Sequence, residues 1–199
     1  MAQKKIRKNN TLLDNYKRSW EFIKESRKFI FVIIGIFLFF TLVGFFIPAP
    51  DNISKWIADY IKNIIDETAG FSIIQLTSFI FFNNLKSSFI GMILGLLLGI
   101  IPVFIALFNG YILGFVLNES VKANGIFILW KLLPHGIFEL PAVFISLGLG
   151  LNLGTKILFN RKKGELRKMF YNSLKVFLFV IIPLLIIAAI IEGILIFLN

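Results

Sequence analysis

One stretch of this sequence brings together side chains able to do proton chemistry. Pro134-His135-Gly136-Ile137-Phe138-Glu139-Leu140-Pro141 places an imidazole and a carboxylate four residues apart, and residues at i and i+4 share one face of a helix. If Pro134 opens that helix, a position where its missing N–H costs nothing, His135 and Glu139 stand together in the first turns. An imidazole donating to a carboxylate offsets much of the cost of burying either group. Such a pair can serve as a structural polar clamp, or as part of a proton relay or a transport site. Other polar side chains also interrupt apolar surroundings: Gln75, Asn83, Asn84, Asn109, Lys131 and Glu192.

Enzyme chemistry finds little else to build with. The chain has 1 His and 0 Cys, so the two-histidine zinc helix H-E-x-x-H cannot be assembled. Thiol nucleophiles, thiolate metal sites and disulfides are excluded with the cysteines. No G-x-S-x-G elbow occurs to present a nucleophilic serine. The expectation is a protein that is not an enzyme, with no catalytic residues, no cofactor and no metal.

The elements that must position these residues are membrane helices. Hydrophobic residues make up 57% of the 199 and charged ones only 16%, against about 45–50% and about 25% in soluble domains. The charges are segregated. One basic block holds Lys4, Lys5, Arg7, Lys8, Lys17, Arg18, Lys24, Arg27 and Lys28; a second holds Lys156, Arg161, Lys162, Lys163, Arg167, Lys168 and Lys175. Both flank apolar runs, so the net charge of +10 is read as orientation under the positive-inside rule and contact with anionic headgroups, not as nucleic-acid binding.

This reading predicts an all-α polytopic bundle of about five transmembrane helices in the cytoplasmic membrane, with the N-terminus inside and the C-terminus outside. The first crossing, Phe29 to Ile47, is an uncleaved anchor. It is preceded by a cytoplasmic basic arm, residues 1–28, in which Leu12, Leu13, Tyr16, Trp20 and Ile23 recur at helical spacing and form a helix lying on the inner surface. The bundle itself is a single unit over residues 29–198. Ile53, Trp56, Ile57, Tyr60, Ile61, Ile64 and Ile65 mark an amphipathic helix over residues 51–69 on the outer side, capped by Asp51 or Asn52 and closed by Gly70. Its apolar stripe lies either in the interface or against the bundle. Three further crossings fill Phe71 to about Gly95, about Gly99 to Leu117 and about Ile126 to Leu153. An alternative division turns the chain at Asn83, Asn84 and Lys86. A polar outer loop follows at Asn118 to Gly125, the basic residues 155–175 form a cytoplasmic loop, and the last crossing runs from about Val176 to Leu198.

Gly91, Gly95 and Gly99 repeat every four residues, as do Gly110 and Gly114. Small residues on one face let helix backbones approach where lipid supplies no hydrophobic drive. The spacing suits packing within the bundle or between two copies in a homo-oligomer.

Leu132-Leu133-Pro134-His135-Gly136-Ile137-Phe138-Glu139-Leu140-Pro141-Ala142, preceded by Phe82-Asn83-Asn84 and by Asn109-Gly110-Tyr111-Ile112-Leu113-Gly114, resembles the stage II sporulation protein M family. The resemblance covers about Phe71 to Gly154. It implies a multi-pass membrane protein without known catalysis, whose sporulation members are thought to hold peptidoglycan-degrading partners at the engulfing septum. It marks Asn83, Asn84, Asn109, Gly110, His135, Gly136 and Glu139 as motif residues without a role. The function expected is a non-catalytic scaffold or anchor for protein partners at the outer face or within the bilayer. The alternative is a small-molecule or ion transporter using the buried Asn/His/Glu site.

Overall fold

The structure, a computed structural model, describes residues 12–47, 49–159 and 163–197, with the backbone alone for residues 128–135 and 163. Among the described residues seven α-helices follow one another: α1 (Leu12–Phe46), α2 (Asp51–Thr68), α3 (Ile73–Leu94), α4 (Ile100–Asn124), α5 (Ile128–Phe159), α6 (Lys163–Val176) and α7 (Ile182–Phe197). A single π-helical segment, Phe177–Ile181, joins α6 to α7. No strand occurs among the described residues, so the expected all-α membrane bundle is what the chain forms.

Leu12–Phe46, Ile100–Asn124, Gly136–Phe159 and Gly164–Phe197 are long and apolar enough to cross a membrane. At 22 residues, α3 also matches a hydrocarbon thickness of about 30 Å; its Gln75, Asn83, Asn84, Lys86 and serines lower its hydropathy. Contacts between helices fix their directions. Gly110 and Gly114 of α4 meet Phe37 and Thr41 of α1, so these two run parallel. Gly148 of α5 meets Ile30 and Asn152 meets Ser26, so α5 is antiparallel to α1. Ser146 of α5 meets Ser88 and Gly150 meets Gly95, so α3 runs with α5. Thr77 faces Gly193 and Phe89 faces Phe177, so α7 opposes α3. Five passes in alternating sense result, with α5 central and touching α1, α3, α4 and α7.

The core binds the passes together through Phe22, Ile23, Ile30, Met92, Ala142, Leu149, Val176, Phe177, Val180, Ile181 and Leu185. The outer surface stays apolar: Phe31, Leu38, Phe39 and Leu42 of α1, Phe104 and Phe108 of α4, and Leu178, Ile190 and Ile196 of the last pass are exposed. In water such a belt would drive aggregation; in a bilayer it is the lipid contact.

Several expectations are corrected. The arm does not lie flat as a separate helix, because Leu12–Phe46 is one helix of 35 residues, about 52 Å long and therefore about 20 Å longer than the hydrocarbon core. No proline stands between Leu12 and Phe46, and the extension packs on α5 and α6, burying Ser19, Phe22, Ile23 and Ser26. The basic 155–175 stretch is helical rather than a loop where described: α5 runs to Phe159 and α6 starts at Lys163. Asn118 to Asn124 belong to the end of α4, which stops at Gly125 with φ of 78°, a conformation that costs an L side chain about 1–2 kcal/mol. The division that turns at Asn83 to Lys86 is excluded, since all three lie inside α3. Pro134 does not open a helix, because α5 begins at Ile128 and continues through both Pro134 and Pro141.

The start of α2 is not capped by Asp51 or Asn52; Pro50 precedes it and no side-chain cap bond forms. Gly70 closes it at φ 83°. Its apolar stripe is divided. Ile57 is buried and Trp56 packs edge-on against Phe108 at 5.7 Å, whereas Ile53, Tyr60 and Ile65 remain exposed. The π segment has a chemical cause in Pro183. Without an N–H, Pro183 cannot bond the carbonyl four residues back, and the neighbouring Ile182 N–H reaches Phe177 O instead.

Candidate functional site

Glu139 is carried on the face of α5 that looks toward α3 and α7. The Asn84 amide of α3 is its hydrogen-bonding neighbour, and Glu192 of α7 carries a second carboxyl near enough for the two charges to interact. Glu192 Oε2 is buried without a hydrogen-bond partner. Three helices thus bring an amide and two carboxyls together at membrane depth, where an uncompensated charge is costly. Chemically the group can hold a proton between two acids or stand as a polar tie among helices.

The side chains of Lys131 and His135 lie outside the described residues, so the expected His135–Glu139 pair does too. The partner given to Glu139 here is Asn84, from another helix. Among the described residues, a Cβ added at Gly136 would meet Leu140 at 3.5 Å, an ordinary van der Waals contact.

The remaining predicted residues separate. Asn83 and Asn109 are exposed on α3 and α4. Gln75 is exposed and completes a capping box: Ser72 N donates to Gln75 Oε1 at 2.9 Å and Gln75 N donates to Ser72 Oγ at 3.4 Å. Its polarity thus satisfies the start of α3. The glycines do pack backbones. A Cβ on Gly95 would strike the Gly150 backbone, one on Gly110 the Phe37 carbonyl, one on Gly114 the Thr41 carbonyl, and one on Gly91 the Leu147 side chain. Gly99 combines a φ of 74° with close approach to Leu151 and Gly154.

Other polar ties went unnoticed in the sequence. Asn152 Nδ2 donates to Ser26 Oγ at 3.0 Å, Ser146 Oγ to Ser88 O at 2.7 Å, and Asn118 Nδ2 to Phe45 O at 2.8 Å. The signal for the first two was present in Ser146-Leu147-Gly148-Leu149-Gly150-Leu151-Asn152-Leu153-Gly154. Ser146, Gly150 and Gly154 form one face at four-residue spacing, against α3 and the turn after it; Gly148 and Asn152 form another, against α1. Small and polar residues alternating with leucine therefore give α5 two close-packing faces.

A family model described as Stage II sporulation protein M matches residues 30–195. The chain belongs to that family. The match spans every pass from the membrane portion of α1 through α7, including Asn84, Glu139 and Glu192. No curated protein and no solved structure matches the chain.

Proposed function

We propose that this stage II sporulation protein M family member is a non-catalytic scaffold of the cytoplasmic membrane, anchoring partner proteins through its membrane-embedded and outer surfaces. The observation that carries the reading is how its motif residues are used. Gly110 is spent on a backbone contact with α1, and Asn84 and Glu139 tie α3 to α5, while Asn83 and Asn109 face outward from the bundle. A substrate site would draw these groups to a common centre; here they divide between holding the bundle and decorating its surface. The basic ends of α1 and α6 are placed inside, with α2 and the end of α7 outside.

A second reading, a transporter or proton relay, draws support from the unpartnered Glu192 Oε2 beside Glu139. One pair of experiments separates the two. Chemical crosslinking in native membranes followed by purification is expected to recover the same membrane protein partners repeatedly, and proteoliposomes are expected to show no flux that depends on Glu192. Absence of any reproducible partner, together with proton or solute flux abolished by Glu192→Gln, overturns the scaffold reading.

A further inference from the structure

Lys86 stands on the side of α3 opposite its buried residues. Leu76, Ile80, Ser88, Gly91 and Met92 face the bundle, whereas Phe82, Lys86 and Ile90 are exposed. Its depth follows from the contacts. Gly95 lies against Gly150, two residues from Asn152, and Asn152 bonds Ser26; the turn after α3 is therefore level with Arg27 and Lys28, at the basic edge of the bilayer. Lys86 precedes Gly95 by nine residues, about 13 Å along a helix, and follows the start of α3 by about 20 Å. That is mid-membrane, and a four-carbon stem snorkels over only part of the distance.

The neighbouring surface is polar as well. Gly91 approaches Ile105 of α4. Ser87 and Asn83, one and two turns from Gly91, and Asn109, one turn on from Ile105, are all exposed. None of Asn83, Lys86, Ser87 and Asn109 makes a side-chain hydrogen bond or ion pair among the described residues. Facing lipid, a central lysine without a partner is costly.

We propose that this exposed polar face of α3 receives a transmembrane helix of another protein, carrying an Asp or Glu near its midpoint that pairs with Lys86 while Asn83 and Ser87 bond its neighbouring polar groups. The proposal rests on the scaffold reading and names the chemistry of the partner. A second copy of this chain does not supply the acid: Asp14, Glu21 and Glu25 lie on the α1 extension, Asp51, Asp59, Asp66 and Glu67 on α2, Glu119 at the end of α4 and Glu165 on α6, while Glu139 and Glu192 are partly buried among the helices.

The test uses the full chain in liposomes with two synthetic polyleucine transmembrane helices, one with a central Glu and one without, read by energy transfer between fluorophores. The Glu helix is expected to associate about tenfold more tightly, a size typical of interhelical polar contacts in model membranes. Lys86→Leu should erase the preference with thermal stability retained, and Lys86→Glu should transfer it to a central-Lys helix. Equal association of both helices with the native chain overturns the proposal, as does self-association of the chain that Lys86→Leu abolishes. Native partners that persist unchanged on Lys86→Leu would sink this docking face and leave the scaffold standing, whereas absence of native partners from the unaltered chain would sink the scaffold reading itself.

Discussion

Asn84 and Glu139 join α3 to α5 through one hydrogen bond, and its setting away from water determines how it should respond to mutation. Asn84→Ala and Glu139→Ala should each destabilise the bundle. The double variant should lose less than the sum, with a coupling of about 0.6 kcal/mol, the average for interhelical hydrogen bonds in a membrane. Glu139→Gln keeps an acceptor oxygen for Asn84 and should be milder than Glu139→Ala. Thermal stability of the variants in one detergent checks this, and strictly additive losses would mean that the two side chains do not meet. Glu139 was legible in the sequence as an acid out of place, but its interhelical partner was not. Spacing along one helix exposes only the neighbours on that helix, such as His135, whose side chain lies outside the described residues; Asn84 is 55 positions away along the chain. Glu192 was equally visible as an anomaly and equally silent about the carboxyl it faces.

At the scale of elements, the close approach of α3 to α5 depends on positions where even a methyl group does not fit. Gly95→Leu would drive a side chain into the Gly150 backbone, and neither partner is a flexible side chain that could move aside. Folded yield and melting temperature in detergent should fall sharply for Gly95→Leu and stay near the native values for Leu97→Ala, since Leu97 is 57% exposed in the turn. Equal behaviour of the two variants would remove the packing argument. The glycine faces of α3 and α4 were readable because four-residue spacing is a known device of membrane helices. On α5 two such faces are interleaved, so the small residues fall at every second position and neither face stands out by itself. Helix limits were legible where the chain has a stop signal, as at Gly70 and Gly125. They were misjudged where proline was taken as a start: Pro134 and Pro141 sit inside α5, a tolerance that membrane helices have because neighbouring groups satisfy the freed carbonyls.

For the whole molecule, the number and order of passes came from the separation of basic and apolar stretches, but their direction in the membrane comes from charge rather than from packing. With α3, α4 and α5 read as three passes between α2 and α6, the exposed faces of α2 and α6 are expected on opposite sides of the bilayer. The lysines and arginines of the α1 extension and α6 predict that both lie on the inner side, because positive charge near the ends of passes is retained there. The chain has 0 cysteines, so single reporters can be introduced without background. Asp66→Cys on α2 and Lys168→Cys on α6 replace exposed residues and should leave the bundle intact. A membrane-impermeant maleimide added to intact cells should label Asp66→Cys at once and Lys168→Cys only after the membrane is permeabilised. The reverse pattern would invert the orientation while preserving the bundle. Labelling of both from outside would contradict the odd number of passes between them, and with it the placement of α3, the most polar of the five, as a membrane-spanning helix.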